Sequence, residues 1–263
     1  MLAKPLIDLN KLPKGNWLTQ PKLNGIRAKW HPELKALITR NGNPVLSCNH
    51  IIEQLKTLPD GIGYDGELYL EGIPFQELNG AIRRQKQQFT DCQFIMFDIE
   101  TPGTFKERAS QMADILGANK LTHIKRVQTG PQVGIEAQFY RFLTEGYEGI
   151  ILRERDSLYV DGRKGQILKY KPVFDMEATL VGLEPTASKH AATFGALLLQ
   201  IPGSTRVFTC SGLSDKDRAA IHKAWTTKWR DQATLVPITV EYGALSTDGV
   251  PIFPRFKSIR WDI

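Results

Sequence analysis

Cysteine is scarce in this chain: Cys48, Cys92 and Cys210 are its only three, isolated from one another and without C-x-x-C spacing. That excludes a disulfide framework and a cysteine-rich structural zinc site, and it is the usage of a reducing compartment. No apolar run approaches the roughly 20 residues that a membrane-spanning helix needs. The first ten residues carry Lys4 and Asp8 and lack the apolar centre of a secretory leader, so a cytoplasmic protein with no membrane partner is expected. Internal repeats and low-complexity segments are absent as well.

What is present is ample apolar material and a surplus of positive charge. Hydrophobic residues make up 41% of 263 positions, enough for two cores in a chain longer than a usual single domain. Lys and Arg outnumber Asp and Glu by 34 to 28, and the net charge of +6 favours a polyanionic partner.

The stretch Gln20-Pro21-Lys22-Leu23-Asn24-Gly25-Ile26-Arg27 organises the rest. A lysine amine becomes a nucleophile only where burial, a neighbouring cation or a metal favours its neutral form. Gly25 allows a tight turn and Arg27 sets a permanent cation beside Lys22, an arrangement suited to attack on a phosphate. Ile26, Ala28 and Trp30 then alternate with Arg27 and Lys29, predicting a strand over 25–30. A turn at His31-Pro32-Glu33, a return strand over 36–39 and a second turn at Thr39-Arg40-Asn41-Gly42 put Arg40 at a strand end, where it can face the same pocket.

Asn49 is expected to cap a helix over 50–58. The strand over 64–70 carries Asp65-Gly66-Glu67, and an acid on a central strand is costly unless paired or bound to a cation. A helix over 75–82 leads into the basic run Arg83-Arg84-Gln85-Lys86. Phe94-Ile95-Met96-Phe97-Asp98 reads as a buried strand ending in a carboxylate, and helices over 105–116 and 132–145 flank a strand over 124–127. Glu148 opens the apolar strand 150–153. After a loop with Tyr159, Gly162 and Arg163, the strand 167–171 carries Lys169 and Lys171 on one face.

Pro172 breaks that strand, and 173–176 reads as a hinge. Beyond it come short strands over 177–183, 196–201 and 206–210, a helix from its Ser214 cap over 215–230, and strands over 238–242 and 256–260. Five strands with a helix between the third and fourth match an OB barrel, a fold that often lies along nucleic acid. Lys189 with His190, Arg206, Arg163 with Lys164, and the run Arg83, Arg84 and Lys86 are candidate phosphate contacts on DNA, each also readable as a solvated surface charge. In the first domain, a lysine nucleophile, the carboxylates Glu67 and Glu148, Phe97, two arginines and a lysine pair would together form a nucleotide site: aromatic face for the base, cations for phosphates, carboxylates for a divalent metal.

In the order K-x-N-G-x-R (22–27), T-R-N-G (39–42), D-G-E-L (65–68), F-D (97–98), E-G-I-I (148–151) and L-K-Y-K (168–171), with the basic tail 254–262, the chain resembles the ATP-dependent DNA ligases, within the covalent nucleotidyltransferases. The resemblance implies an α+β fold: an ATP-grasp-like nucleotidyltransferase (adenylation) domain of antiparallel sheets with flanking helices over 1–172, then an OB-fold β-barrel over 173–263. It implies ATP and Mg2+ (or Mn2+) as cofactors, nicked duplex DNA as partner, and a monomer. Lys22 would take AMP from ATP as a phosphoramidate and pass it to the 5′-phosphate of a nick, after which the 3′-hydroxyl seals the strand and expels AMP.

The same resemblance implies roles for single residues. Gln20 would read the adenine edge and Phe97 would stack on the base. Arg27 and Arg40 would bind ribose or phosphates, and Lys169 and Lys171 phosphate oxygens. Glu148 would hold the metal, and Glu67 the ribose or the metal. Arg255, Arg260 and Asp262 would approach ATP when the OB domain closes. Asn24 departs from the family's usual Asp and removes one carboxylate. No large DNA-binding domain precedes Lys22 and no cysteine-rich module follows, which points to a minimal ligase of phage, viral or accessory bacterial type. The alternatives are an RNA ligase of the same superfamily, a GTP-using capping guanylyltransferase, and a non-catalytic OB-containing nucleic-acid binder.

Overall fold

Stretches that alternate apolar with polar residues must bury one face, and in this chain they do so mostly as strands. The computed structural model describes residues 1–131, 134–229, 236–246 and 248–259. The chain divides into two compact units, Met1–Lys171 and Pro172–Ile263.

In chain order the first unit contains β1 (Lys4–Pro5), β2 (Trp17–Lys22), β3 (Ile26–His31), β4 (Ala36–Thr39), α1 (Asn49–Leu55), β5 (Gly63–Tyr69), α2 (Phe75–Arg83), β6 (Gln93–Glu100), α3 (Phe105–Gly117), β7 (Ile124–Arg126), α4 (Ile135–Thr144), β8 (Gly149–Glu154) and β9 (Ile167–Tyr170). They form two sheets, ordered β1-β9-β8-β2 and β4-β3-β5-β6-β7. The pairings are antiparallel apart from β1 with β9 and β6 with β7. Residues of α1, α2 and α3 share one core with Trp30, Tyr64, Leu68, Phe94 and Met96 of the five-stranded sheet. Trp17, Phe142, Ile150 and Leu152 form a second core where α4 meets β2 and β8.

The strand that ends at Lys22 has no legible period. In β2, Thr19 and Gln20 are buried although polar, which hides the alternation, and Pro21 is tolerated because β2 is a sheet edge. Asn49 is not the cap expected of it: α1 starts at Asn49 and stops at Leu55, and Cys48 precedes it without a side-chain cap. The Asn49 N–H donates instead to Gln88 Oε1 at 3.0 Å, so a distant residue satisfies that orphan donor.

The second unit contains β10 (Phe174–Glu184), β11 (Ala196–Gln200), β12 (Val207–Cys210), α5 (Asp215–Ala224), a π-helical turn over Trp225–Trp229, β13 (Val236–Tyr242) and β14 (Arg255–Ile259). Its sheet is ordered β12-β11-β10-β13-β14, the strand order of an OB fold, and a single bridge between Ser211 and Arg255 joins the edges. Leu197, Leu199, Ile221, Ile238 and Val240 lie in its core. The expected hinge over 173–176 is corrected here. Phe174, Asp175 and Met176 belong to β10, paired with Tyr242, Glu241 and Val240, and Lys257 Nζ donates to Asp175 at 2.5 Å. That ladder outweighs the break signalled by Pro172. All three cysteines are buried and free, and among the described residues no helix is long and apolar enough to cross a membrane.

Candidate functional site

Antiparallel pairing of β2 with β8 sets Lys22 opposite Gly149, which carries the start of E-G-I-I across from the lysine. The Glu148 N–H donates to the Lys22 carbonyl at 2.9 Å, and Lys22 Nζ contacts Glu148 Oε2. Lys171 Nζ reaches the other carboxylate oxygen at 3.4 Å. Two glycines make this geometry possible by absence of bulk. A Cβ on Gly149 would stand 2.3 Å from the Tyr170 carbonyl oxygen, and one on Gly25 would stand 2.4 Å from that of Leu68 and 2.6 Å from Glu67 Cγ. Gly25 therefore serves close approach to β5 more than the tight turn expected of it.

A cavity of about 270 Å³ opens beside Lys22. Gln20, Lys22, Arg27, Arg40, Glu67, Phe97 and Lys169 all line it, so seven of the expected nucleotide residues converge. Glu148 and Lys171 are outside its wall, joined to it through Lys22. Arg163, expected on a DNA-facing surface, lines the cavity instead. Gln20 is buried, and its Nε2 donates to Thr129 Oγ1 at 3.2 Å.

Several participants escaped sequence reading. Arg27 is gripped by Asp65 through Nε at 2.9 Å and Nη2 at 2.7 Å, Tyr159 donates to the same carboxylate at 3.1 Å, and Arg27 Nη1 donates to the Met1 carbonyl. The guanidinium carbon lies 5.8 Å from the centroid of the Phe97 ring, so the carboxylate that fixes the cation also holds it near the aromatic face. Arg153, also in the wall, binds Asp98, which Arg108 grips as well at 2.8 and 3.2 Å. The signal for both acids was available: each is a carboxylate in a strand of apolar residues, where a buried charge demands a partner. Nothing in the local pattern names Arg153 as that partner.

Burial and charge perturb several of these groups. Burial pushes Glu67 up to about 8; Lys22 and Arg27 pull against it, while Asp65 and Glu148 push the same way. The Lys169 amine is lowered by burial first and then by Lys22 and Lys171. Burial also lowers Arg153, against the raising effect of Asp98. Among the described residues no cluster of three or more His, Cys, Asp or Glu could hold a metal. One or two carboxylates are nevertheless what a magnesium ion usually takes from a protein when nucleotide phosphates supply the rest, and Glu148 beside Lys22 fits that demand.

The remaining candidates do not join this cluster. Arg83, Arg84 and Lys86 are exposed at the C-terminal end of α2, and Lys164 and Lys189 are exposed in loops. Arg206 is already compensated by Asp248 at 3.1 Å. Arg255 is exposed at the start of β14. Arg260 and Asp262 lie outside the described residues.

Comparison with known proteins gives this arrangement a family. The model of the ATP dependent DNA ligase domain matches residues 1–171. The DNA ligase of African swine fever virus (strain Badajoz 1971 Vero-adapted) is 27% identical over 270 residues, covering 92% of this chain and 63% of that protein. The DNA ligase of Haemophilus influenzae is 26% identical over 194 residues, covering 72% and 70%. The chain thus spans about 63% of the length of the viral relatives it matches. A solved Lig E DNA ligase shares the fold with TM-score 0.81 at 22% identity over 98% of each chain. The Chlorella virus DNA ligase-adenylate does so with TM-score 0.57 at 22% identity over 100% of this chain and 98% of its own. With the ligase domain matched from the first residue through the second lysine of L-K-Y-K, this chain belongs to the ATP-dependent DNA ligase family.

Proposed function

We propose that this protein joins the 3′-hydroxyl and 5′-phosphate of nicked duplex DNA at the expense of ATP, working as a monomer. The observation that carries the proposal is the lysine of the family motif opening into a nucleotide-sized cavity with cations, an aromatic ring and carboxylates around it. In the first step Lys22 Nζ attacks the α-phosphorus of ATP; a P–N bond forms, the P–O bond to pyrophosphate breaks, and Glu148, in contact with Nζ, is placed to take the proton the amine sheds. Arg27, Arg40 and Lys169 balance phosphate charge in a site partly closed to water, where such contacts count most. In the second step an oxygen of the 5′-phosphate takes the AMP from Nζ. In the third the 3′-hydroxyl attacks that 5′-phosphorus and AMP leaves with the bridging oxygen.

The adenine ring stacks on Phe97 while Gln20 meets its edge. Glu67, driven toward its neutral form, suits a hydrogen bond to a ribose hydroxyl better than a metal. Magnesium or manganese, held by Glu148 with the phosphates, supplies charge neutralisation when bound. Lys171 steadies Glu148. Arg83, Arg84, Lys86, Lys164 and Lys189 are open to backbone phosphates.

Mass spectrometry of the protein before and after incubation with ATP and magnesium tests the chemistry. A gain of one AMP on Lys22, absent from Lys22→Ala, is expected, followed by sealing of a nicked DNA duplex. No adduct, an adduct on another residue, or a GMP adduct formed in preference from GTP would overturn the reading. Sealing confined to RNA ends would replace the DNA substrate.

A further inference from the structure

One end of the Gln20 amide meets Thr129 and the other meets the nucleotide cavity. The Gln20 side chain is buried in the cavity wall, and its Nε2 donates to Thr129 Oγ1 at 3.2 Å. Its Oε1 has no hydrogen-bond partner among the described residues, yet it is not one of the buried polar atoms left unpaired there. It therefore faces open space, and the cavity is the open space that Gln20 borders. A primary amide has donors only on nitrogen and acceptors only on oxygen, so engaging the nitrogen leaves an acceptor turned to the ligand.

Thr129 is outside the cavity wall, and backbone bonds on both sides of it fix its place. The Val127 N–H donates to the Met96 carbonyl at 2.8 Å, which fastens the segment to β6. Gly130 exchanges both backbone hydrogen bonds with Thr19 of β2, at 2.8 and 3.1 Å. A Cβ on Gly130 would stand 2.7 Å from Thr19 Oγ1, so glycine permits this approach. Thr129, held between these anchors, stands beside the residue that follows Thr19, which is Gln20.

We propose that Thr129 is a positioning residue for base selection: through Gln20 it presents an acceptor to the 6-amino group of adenine. Guanine carries an oxygen at that position, and acceptor against acceptor leaves both unpaired. Such a mismatch in a site partly closed to water is penalised more than a contact merely lost. The preference for ATP over GTP then belongs to a pair of residues 109 positions apart rather than to Gln20 alone.

The inference rests on the ligase reading above, and its test separates the two. Self-adenylylation with ATP is compared with labelling by GTP and by the ATP analogue that carries hydrogen in place of the 6-amino group. The unaltered protein should use the analogue with kcat/KM about tenfold below that for ATP, the loss lying in KM. Thr129→Val keeps the shape of the side chain and removes the hydroxyl. It should lose about tenfold with ATP and little with the analogue, which brings the two nucleotides together. Its preference for ATP over GTP should narrow as well, because the released amide can turn its nitrogen to the guanine oxygen. Thr129→Ser should restore the ratios, and Thr129→Ala is the second hydroxyl-free variant if the valine form folds poorly. A purely structural Thr129 would slow all three nucleotides alike and leave their ratios unchanged, which overturns the proposal. Equal use of ATP and the analogue by the unaltered protein overturns it too, by showing that no acceptor meets the amino group. A protein that takes up no nucleotide at all sinks the ligase reading instead.

Discussion

At Glu67 burial and the neighbouring cations pull in opposite directions, and burial prevails, setting a folded-state pKa of about 8 against an ordinary value of 4.5. The folded protein therefore keeps a proton that the unfolded chain has released. Stability from this site is full below about pH 4.5 and is lost as the pH rises toward about 8. Glu67→Gln stays neutral throughout and should flatten that decline, whose limiting slope is about 1.4 kcal/mol per pH unit. Urea unfolding across this range checks it, and parallel profiles for the two proteins would refute the raised pKa. At Gly25 the constraint is steric. An added methyl meets backbone at 2.4 Å, so Gly25→Ala should cost about 1–3 kcal/mol of stability and slow AMP transfer, both read on one preparation.

Among the elements, β6, α3 and β8 meet at a single buried carboxylate. Asp98 from β6 holds Arg108 of α3 and Arg153 of β8, and thereby ties the five-stranded sheet to the four-stranded one. Removing the acid strands two buried guanidinium groups, so Asp98→Ala should destabilise the first unit by about 3–5 kcal/mol. Denaturant unfolding measures this, and a loss under about 1 kcal/mol would show that water or other groups satisfy the arginines. Much of this layer was legible in advance: the β3–β4 hairpin, β5, β6, α3 and the strands of the second unit follow hydropathy periods. Two features were not. β2 buries Thr19 and Gln20, which look like surface residues, and β10 runs through an apparent hinge because its partner β13 lies some 60 residues away.

For the molecule as a whole, two separate cores predict two separate stabilities. The fragment 1–171 should give its own cooperative transition by calorimetry; a molten, non-cooperative fragment would show that the second unit is needed to complete the core. With a net charge of +6, affinity for nicked duplex should fall steeply with salt, by about 0.9 in log–log slope for each phosphate engaged. A flat salt response would remove the exposed basic residues from the interface. Arg255, from the last family motif, should matter to AMP uptake more than to sealing of a nick already adenylylated. Equal losses in Arg255→Ala would count against that division of labour.

Sequence alone determined the order of the motifs and through them the family, and it pointed to Lys22 as the nucleophile, because six short motifs in one order are far more specific than a lysine beside an arginine. Strand period decided which residues share a face. Only the tertiary structure decided which charges neutralise one another: Arg27 with Asp65 across 38 residues, Arg153 with Asp98 across 55, and Lys22 with Glu148 across 126. Pairing across a sheet depends on register, and register is a property of two strands together, which neither carries by itself.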